Sequence, residues 1–360
     1  MVNINREMEK MAESKKVFRV GVIGCGRMAS TIEDEVQGPR RGGLVLPYSH
    51  AAAYAIVEET KMVAACDVDK GRLKNFMERW NVPNGYTDYR ELIDKEQPDI
   101  LSITTRPEQH AEHMIYGANH GVKGMYAEKP LCCSLAETDA IREAFERNGV
   151  FLQYGPMRRN WAVYQQAREI VVGGELGAVK CVLGFSGNSI GGHFLDTMLY
   201  LIGDPEPLSI QGTLGELYPP EGDTSGMKFV RDTAIMSAYI KFKHGTAIHV
   251  AGTGMSGEYE LVCEKGIIRS QNDGESLYVR RGSSGAWDPI EVKPVEPWSG
   301  TARKIQELVE SIKTGKQGTS NLRATMISQE IGFGIYESHL RGGVAVSPPI
   351  PNRERWVSSW

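Results

Sequence analysis

The chain has 360 residues, 41% of them hydrophobic and 24% charged, with Lys+Arg 41 against Asp+Glu 45. That length and balance suit about two globular domains and exclude a disordered, fibrous or low-complexity chain. The formal net charge of -4, without a long single-sign run, leaves no footprint for nucleic acid or an acidic membrane surface, and no apolar stretch is long enough for a signal peptide or a membrane span. The 6 cysteines include no Cys-x-x-Cys pair, so neither a disulfide framework nor a zinc ribbon is expected, and a reducing, cytoplasmic setting fits best.

Residues 1–17 read as a charged leader. An apolar strand, 18–23, then runs into Gly24-Cys25-Gly26-Arg27-Met28-Ala29, a G-x-G-x-x-A turn. In such a turn the first glycine permits the tight bend, the second lets backbone approach a pyrophosphate, and the small third residue lets helix pack on strand. The helix N-terminus that follows favours phosphate charge. A second buried strand, 62–66, ends in Asp67, where a dinucleotide-binding sheet reads the adenosine ribose hydroxyls; an acid there favours NAD over NADP. Asp67 comes at about twice the usual spacing of about 20 residues after the glycines, which implies an insertion, assigned to 33–48 for its Gly, Pro and charge content. It reads either as a lid beside the nucleotide or as surface decoration. Arg72 is placed to stack on adenine or to lie on a solvated helix face.

Helices are expected over 73–80, from 89, and from a lead segment 105–110 to near 121, alternating with buried strands at 99–104 and 124–127. The carboxyl ends of these strands bring Gly24, Asp67, Thr104, Thr105, Pro107, His110, Glu128 and Lys129 around one crevice, as doubly wound sheets do. One more helix (134–148) and strand (150–154) precede a change of texture. From about 180, β-like runs at 180–185, 234–243, 246–252, 258–263 and 277–281, separated by Gly-rich turns, indicate an antiparallel sheet domain closed by helices at 301–313 and 321–340. The expected division is an NAD-binding Rossmann domain at 18–132, an α+β domain with a large, mostly antiparallel open sheet at 133–350, and a tail at 351–360.

In order along the chain, Val22-Ile23-Gly24-Cys25-Gly26-Arg27-Met28, the segment 105–113, Glu128-Lys129-Pro130, Gly155 with Arg158-Arg159, the turn 174–177 and the helix region 191–203 resemble the ordered motifs of the Gfo/Idh/MocA oxidoreductases, named for glucose-fructose oxidoreductase, inositol dehydrogenase and rhizopine catabolism. The resemblance implies a nicotinamide enzyme acting on a secondary alcohol of a sugar, polyol or glycoside, with NAD as cofactor and Lys129 at the alcohol. It assigns Gly24, Cys25, Gly26, Arg27, Met28, Asp67, Arg72, Thr104, Thr105, Pro107, His110, Glu128 and Lys129 to the cofactor side. The chemistry agrees: when the carbinol hydrogen leaves as hydride, the hydroxyl proton needs a base, and a lysine beside a cationic ring, aided by a histidine, can supply one. The catalytic histidine is read as His193 and the trailing acid as Asp196, which would orient the imidazole, hold a substrate hydroxyl, or simply start a helix. The family's leading Asp is replaced by Ser189. In a second register Asp196-x-x-x-Tyr200 matches the Asp and Tyr variant of some relatives.

Arg158 and Arg159 are expected either to donate to substrate oxygens or to form loop salt bridges. His110 and His113, three apart, lack a third ligand, so no metal is expected. The remaining histidines, His50 among them, are read as ordinary. A redox-neutral enzyme that keeps its NAD bound, or a non-catalytic nicotinamide-sensing protein, are the other readings of this scaffold. The resemblance also implies a homo-oligomer, dimer or tetramer.

Overall fold

The computed structural model describes residues 16–36, 45–186, 192–217, 232–253, 257–292 and 299–358. The first fifteen residues of the leader, the middle of the 33–48 insertion and Ser189 lie outside them. Six strands, β1 (Phe18–Ile23), β2 (Thr60–Cys66), β3 (Asn84–Tyr86), β4 (Ile100–Ile103), β5 (Gly124–Ala127) and β6 (Phe151–Tyr154), form one parallel sheet in the order β3-β2-β1-β4-β5-β6. That is the doubly wound order, whose crevice opens between the carboxyl ends of β1 and β4. β4 and β5 are buried at every position, because helices cover both faces of a parallel sheet.

The first crossover is unusual. It begins as a π-helical turn, Arg27–Thr31, continues as α1 (Ile32–Glu35), leaves the helix at Val36, and reaches β2 through α2 (His50–Ile56). This interruption accounts for the stretched spacing between the glycines and Asp67. The later crossovers are α3 (Lys70–Trp80) with α4 (Tyr89–Glu96), α5 (Pro107–Asn119) and α6 (Leu135–Asn148). Because α6 and β6 belong to this sheet, the nucleotide unit runs past residue 132, where the sequence reading ended it: a sixth parallel strand requires its own crossover helix.

After α7 (Ala162–Gly173), the second sheet comprises β7 (Val179–Phe185), β8 (Pro207–Leu214), β9 (Ile235–Phe242), β10 (Ala247–Ala251), β11 (Glu258–Cys263), β12 (Gly266–Gln271), β13 (Ser276–Arg281) and β14 (Trp287–Ile290). Its order is β14-β13-β12-β11-β7-β10-β9-β8, antiparallel except for the β7–β10 pair, so the expected α/β chain with a mostly antiparallel second sheet is what forms. Alternate residues of β11 and β12 are buried, the period-2 signature of a sheet with one covered face. α8 (His193–Ile202) lies on that face; at Gly184 of β7 a Cβ would meet Met198 Sδ and Phe194 Cζ at 2.5 Å, so the missing side chain lets the helix seat. α9 (Gly300–Thr314) then returns to pack on β5, β6 and α2, and α10 (Leu322–Leu340) lies along β8. Among the described residues no helix is long and apolar enough to cross a membrane.

Candidate active site

The nucleotide half starts at Gly24. Its φ is +88°, and a Cβ there would meet the Thr104 carbonyl carbon and oxygen and Thr105 N at 2.9 Å, so only glycine fits where the β1 turn passes over the end of β4. Thr104 closes that junction, its hydroxyl donating to Gly24 O at 2.7 Å and its N–H to Ile23 O at 2.9 Å. At Gly26, in contrast, a Cβ would meet nothing within 4 Å; it would project into a cleft of about 620 Å³ lined by Gly24, Gly26, Arg27, Met28, Asp67, Arg72, Thr104, Thr105 and His113. That volume falls within the range for small-molecule and cofactor pockets. Asp67, buried at the end of β2, accepts Cys25 N at 2.8 Å on Oδ2 and Asp69 N at 2.8 Å and Arg72 Nη2 at 3.3 Å on Oδ1. The donor set fits NAD: a glycine edge open to a pyrophosphate, and an acid that welcomes ribose hydroxyls and repels a ribose phosphate.

Three residues assigned to the cofactor sit behind this surface rather than on it. Cys25 contributes its N–H while its buried thiol points at Cys66 O, 3.6 Å away. Pro107 is the buried first residue of α5. His110 is fully buried, its Nδ1 3.0 Å from Pro130 O and its Nε2 3.1 Å from Thr105 O, so it ties the β4 loop to the loop after β5; burial pushes its pKa down. His113 does line the cleft, with burial pushing it down to about 4.

The chemical half starts where β5 ends. Glu128, 6% exposed, receives His50 Nε2 at 3.2 Å on Oε1 and Lys129 N at 3.1 Å on Oε2. Burial pushes this carboxyl up, but the His50 hydrogen bond, the His50 field and the Lys129 charge outweigh it and hold the group below the usual glutamate value. Glu128 therefore orients the turn that presents Lys129, and touches no cleft surface. His50 is held in turn by Ser102 Oγ at 2.8 Å and by stacking on Tyr126 at 3.9 Å. At Gly155 a Cβ would meet Lys129 N at 2.6 Å, which explains the glycine after β6: the two loops touch through backbone.

From the second unit comes His193, the half-buried first residue of α8. Its Nδ1 is sealed from solvent and has no hydrogen-bond partner among the described residues. Burial, then the charges of Arg158, Lys129 and Lys304, push its pKa well below the ordinary histidine value, so the imidazole is neutral near pH 7. The charge of Lys129, from the nucleotide unit, thus acts on His193 of the second unit. Arg158 directs Nε and Nη2 at Asp273 in the β12–β13 turn and lies 5.0 Å over the Trp161 ring; its unused donors remain available at this edge.

Arg159 and Asp196 need correction. Arg159 is fully buried and all five donors are taken: by Asp196 (2.8 Å to each oxygen), Asp204 (2.7 Å to each oxygen) and Thr319 O (3.2 Å). It has none left for substrate, and both Asp196 oxygens face the guanidinium rather than the His193 ring. Tyr200, the residue of the alternative register, lies under that same guanidinium at 5.5 Å. Lys304, on α9, was not read from the sequence; it is fully buried, bonded to Ser320 Oγ, and burial, offset by Asp196 and Glu307, brings its pKa down to about 8. Beside it Glu307 gathers Asn160 Nδ2 at 2.7 Å and Thr319 N at 2.8 Å. His50 and Lys304 each stand one residue after a Ser cap or on the buried stripe of a helix, a polar residue where the pattern calls for apolar; that was the available signal.

A glycine-edged cleft with a buried acid at the end of β2 defines a dinucleotide-binding unit. The chain belongs to the Gfo/Idh/MocA oxidoreductase family: residues 18–156 match its NAD-binding Rossmann fold and residues 184–346 its C-terminal alpha/beta domain. It is 26% identical over 324 residues to the scyllo-inositol 2-dehydrogenase (NAD(+)) of Bacillus subtilis, covering 82% of this chain and 92% of that protein. It is 27% identical over 232 residues to the inositol 2-dehydrogenase of Salmonella typhimurium, covering 57% and 67% respectively. Among solved structures, the aldose-aldose oxidoreductase of Caulobacter crescentus complexed with glycerol shares the fold with a TM-score of 0.74 at 19% identity, over 92% of this chain and 100% of that one.

Proposed function

We propose that the protein is an NAD-dependent dehydrogenase of a secondary alcohol on a sugar or cyclic polyol. What supports this is that Lys129, in the turn after β5 of the nucleotide unit, is among the charges that act on His193 of the second unit, whose imidazole is kept neutral by burial and by the charges of Arg158, Lys129 and Lys304. Bound NAD supplies the hydride acceptor. Lys129 holds the substrate oxygen, and the neutral imidazole of His193 is able to take its proton as the carbonyl forms. Glu128, tied to His50, keeps the Lys129 turn in register. The inositol dehydrogenases among the relatives support a polyol and favour exchange of the cofactor over a redox-neutral cycle.

We place the protein in the cytoplasm as a homo-oligomer. All six cysteines are free thiols, five of them buried, which supports a reducing compartment, and the uncovered face of the second sheet supports self-association; light scattering tests the latter. For the activity, NADH formation is followed across inositols and aldoses. Lys129→Met is expected to lower kcat by about 10²-fold or more while leaving the Kd for NADH within about twofold. Turnover that survives the substitution refutes the role given to Lys129. Near-stoichiometric NAD released on denaturing the purified protein moves the reading to the redox-neutral cycle.

A further inference from the structure

The inserted segment re-enters the fold at a fixed point. Its two ends are joined by one carboxylate: Glu33 Oε1 accepts from Tyr48 N at 2.5 Å and from Ser49 N at 2.6 Å. Three further contacts fix the re-entry point. Thr301 Oγ1 donates to Tyr48 O at 2.9 Å, Ser49 Oγ caps α2 by accepting Ala52 N at 3.3 Å, and His50 is held by Glu128 and Ser102. The backbone at Tyr48 is therefore positioned as firmly as the Lys129 turn, through the same Glu128–His50 pair.

The Tyr48 side chain leaves the nucleotide unit and packs against the core of the second unit, bridging the crevice. Burial draws its hydroxyl out of water and pushes its pKa up; Glu128 and Asp273 add to the rise, and Arg158 and Arg27 oppose it. Those four stand after β5, in the β12–β13 turn, after β6 and at the phosphate turn. Charged groups of both units thus lie around the Tyr48 hydroxyl. Among the described residues no hydrogen bond holds the phenol oxygen, which leaves it a donor and an acceptor to offer.

We propose that Tyr48 is a substrate-reading residue, whose hydroxyl binds a hydroxyl of the polyol remote from the carbon held at Lys129. This rests on the dehydrogenase reading above. The inserted segment thereby supplies specificity from the nucleotide unit, opposite the contacts that Arg158 offers from the other side. A contact to a non-reacting hydroxyl is made alike in ground and transition states, so its loss raises KM and spares kcat.

The test compares wild type, Tyr48→Phe and Tyr48→Ala on myo-inositol, or on whichever inositol or aldose wild type oxidises best. The expected result is a KM for the alcohol raised roughly three- to tenfold in Tyr48→Phe, with kcat, the KM for NAD and the thermal midpoint unchanged. A purely structural tyrosine would move the midpoint and the NAD parameters as well. An alcohol KM unchanged in both variants overturns the proposal. If wild type oxidises none of the alcohols, the dehydrogenase reading fails by itself, and Tyr48 is judged by Tyr48→Cys and iodoacetamide. Slowing of labelling by NADH, about fivefold or more, supports a side chain facing the cofactor and substrate space; a rate indifferent to NADH overturns it.

Discussion

At the scale of single residues, Arg159 shows how charge can serve the fold next to a reacting centre without joining the chemistry. Arg159→Ala leaves Asp196 and Asp204 facing each other without their cation, and is expected to cost about 3–5 kcal/mol in urea unfolding. Arg159→Lys keeps the charge but offers three donors instead of a planar five, so an intermediate loss is expected; an unfolding midpoint unchanged in both sinks this account. Lys304 gives a pH signature. Its pKa is about 8 in the fold against an ordinary 10.5, so between those values the native state binds fewer protons than the unfolded chain and stability rises with pH. The rise is on the order of 3 kcal/mol, complete near pH 10.5 and absent below about pH 8. Lys304→Met is expected to lack it, so the difference in unfolding free energy between the two proteins should change across that window and be flat beneath it. A difference independent of pH from 7 to 10.5 refutes the buried-charge reading. Lys129 and the glycines were legible in the sequence because each carries its own local pattern. His50 and Lys304 were not, because what makes them matter is a partner such as Glu128 or Ser320, brought close only by the fold.

At the scale of elements, three of the four strands missed from sequence have a common cause. β3, β8 and β14 are edge strands, and edges are kept short, polar or proline-bearing so that they do not pair with other chains: Asn84-Gly85-Tyr86, Pro207 at the start of β8, Pro289 inside β14. β12 is interior, but its Ile267, Arg269 and Gln271 alternate with a buried Ser270, blurring the apolar period. The first crossover helix was legible as a start and not as a helix, since it breaks after nine residues of π and α turns. Its two glycines make opposite predictions. Gly24→Ala places a Cβ against the β4 loop at positive φ, and should destabilise the protein by about 1–3 kcal/mol. Gly26→Val projects into open cleft, so the thermal midpoint should hold while NADH affinity, by fluorescence titration, falls about tenfold or more, ~1.4 kcal/mol. If Gly26→Val binds NADH normally, the pyrophosphate does not lie where the cleft places it.

At the scale of the whole molecule, what joins the two units is more than the chain passing between them. α9 returns from the second sheet to the first, and the segment after Ile350, read from sequence as a tail, crosses the seam. Arg353 bridges Asp139 on α6 (2.7 and 2.8 Å) and Glu330 on α10 (2.7 Å), while its carbonyl accepts Ala136 N at 2.8 Å. Arg355 donates to Glu337 of α10 at 2.9 Å, and Val357, 4% exposed, donates its N–H to Cys133 O at 2.8 Å. The segment thus pairs with helices of both units and puts an apolar side chain into the second unit's core. The partly exposed ion pairs contribute little, up to about 1 kcal/mol each, whereas burying Val357 is worth about 1.5–3 kcal/mol. Truncation after Ile350 should therefore cost about 3 kcal/mol, and a shift of about 2–4 °C per kcal/mol for units of this size puts it within reach of calorimetry. Because the lost contacts lie across the seam, the two units should also unfold less cooperatively, broadening or splitting the transition. The split distinguishes the strap from a stabiliser of one unit alone: a single sharp transition at a lower midpoint would confine the segment's effect to the second unit's core, and an unchanged midpoint would leave it no structural role. His193 and Lys129 stand on opposite sides of that seam, so weakening it should raise the alcohol KM of the truncated protein even at temperatures where both units remain folded.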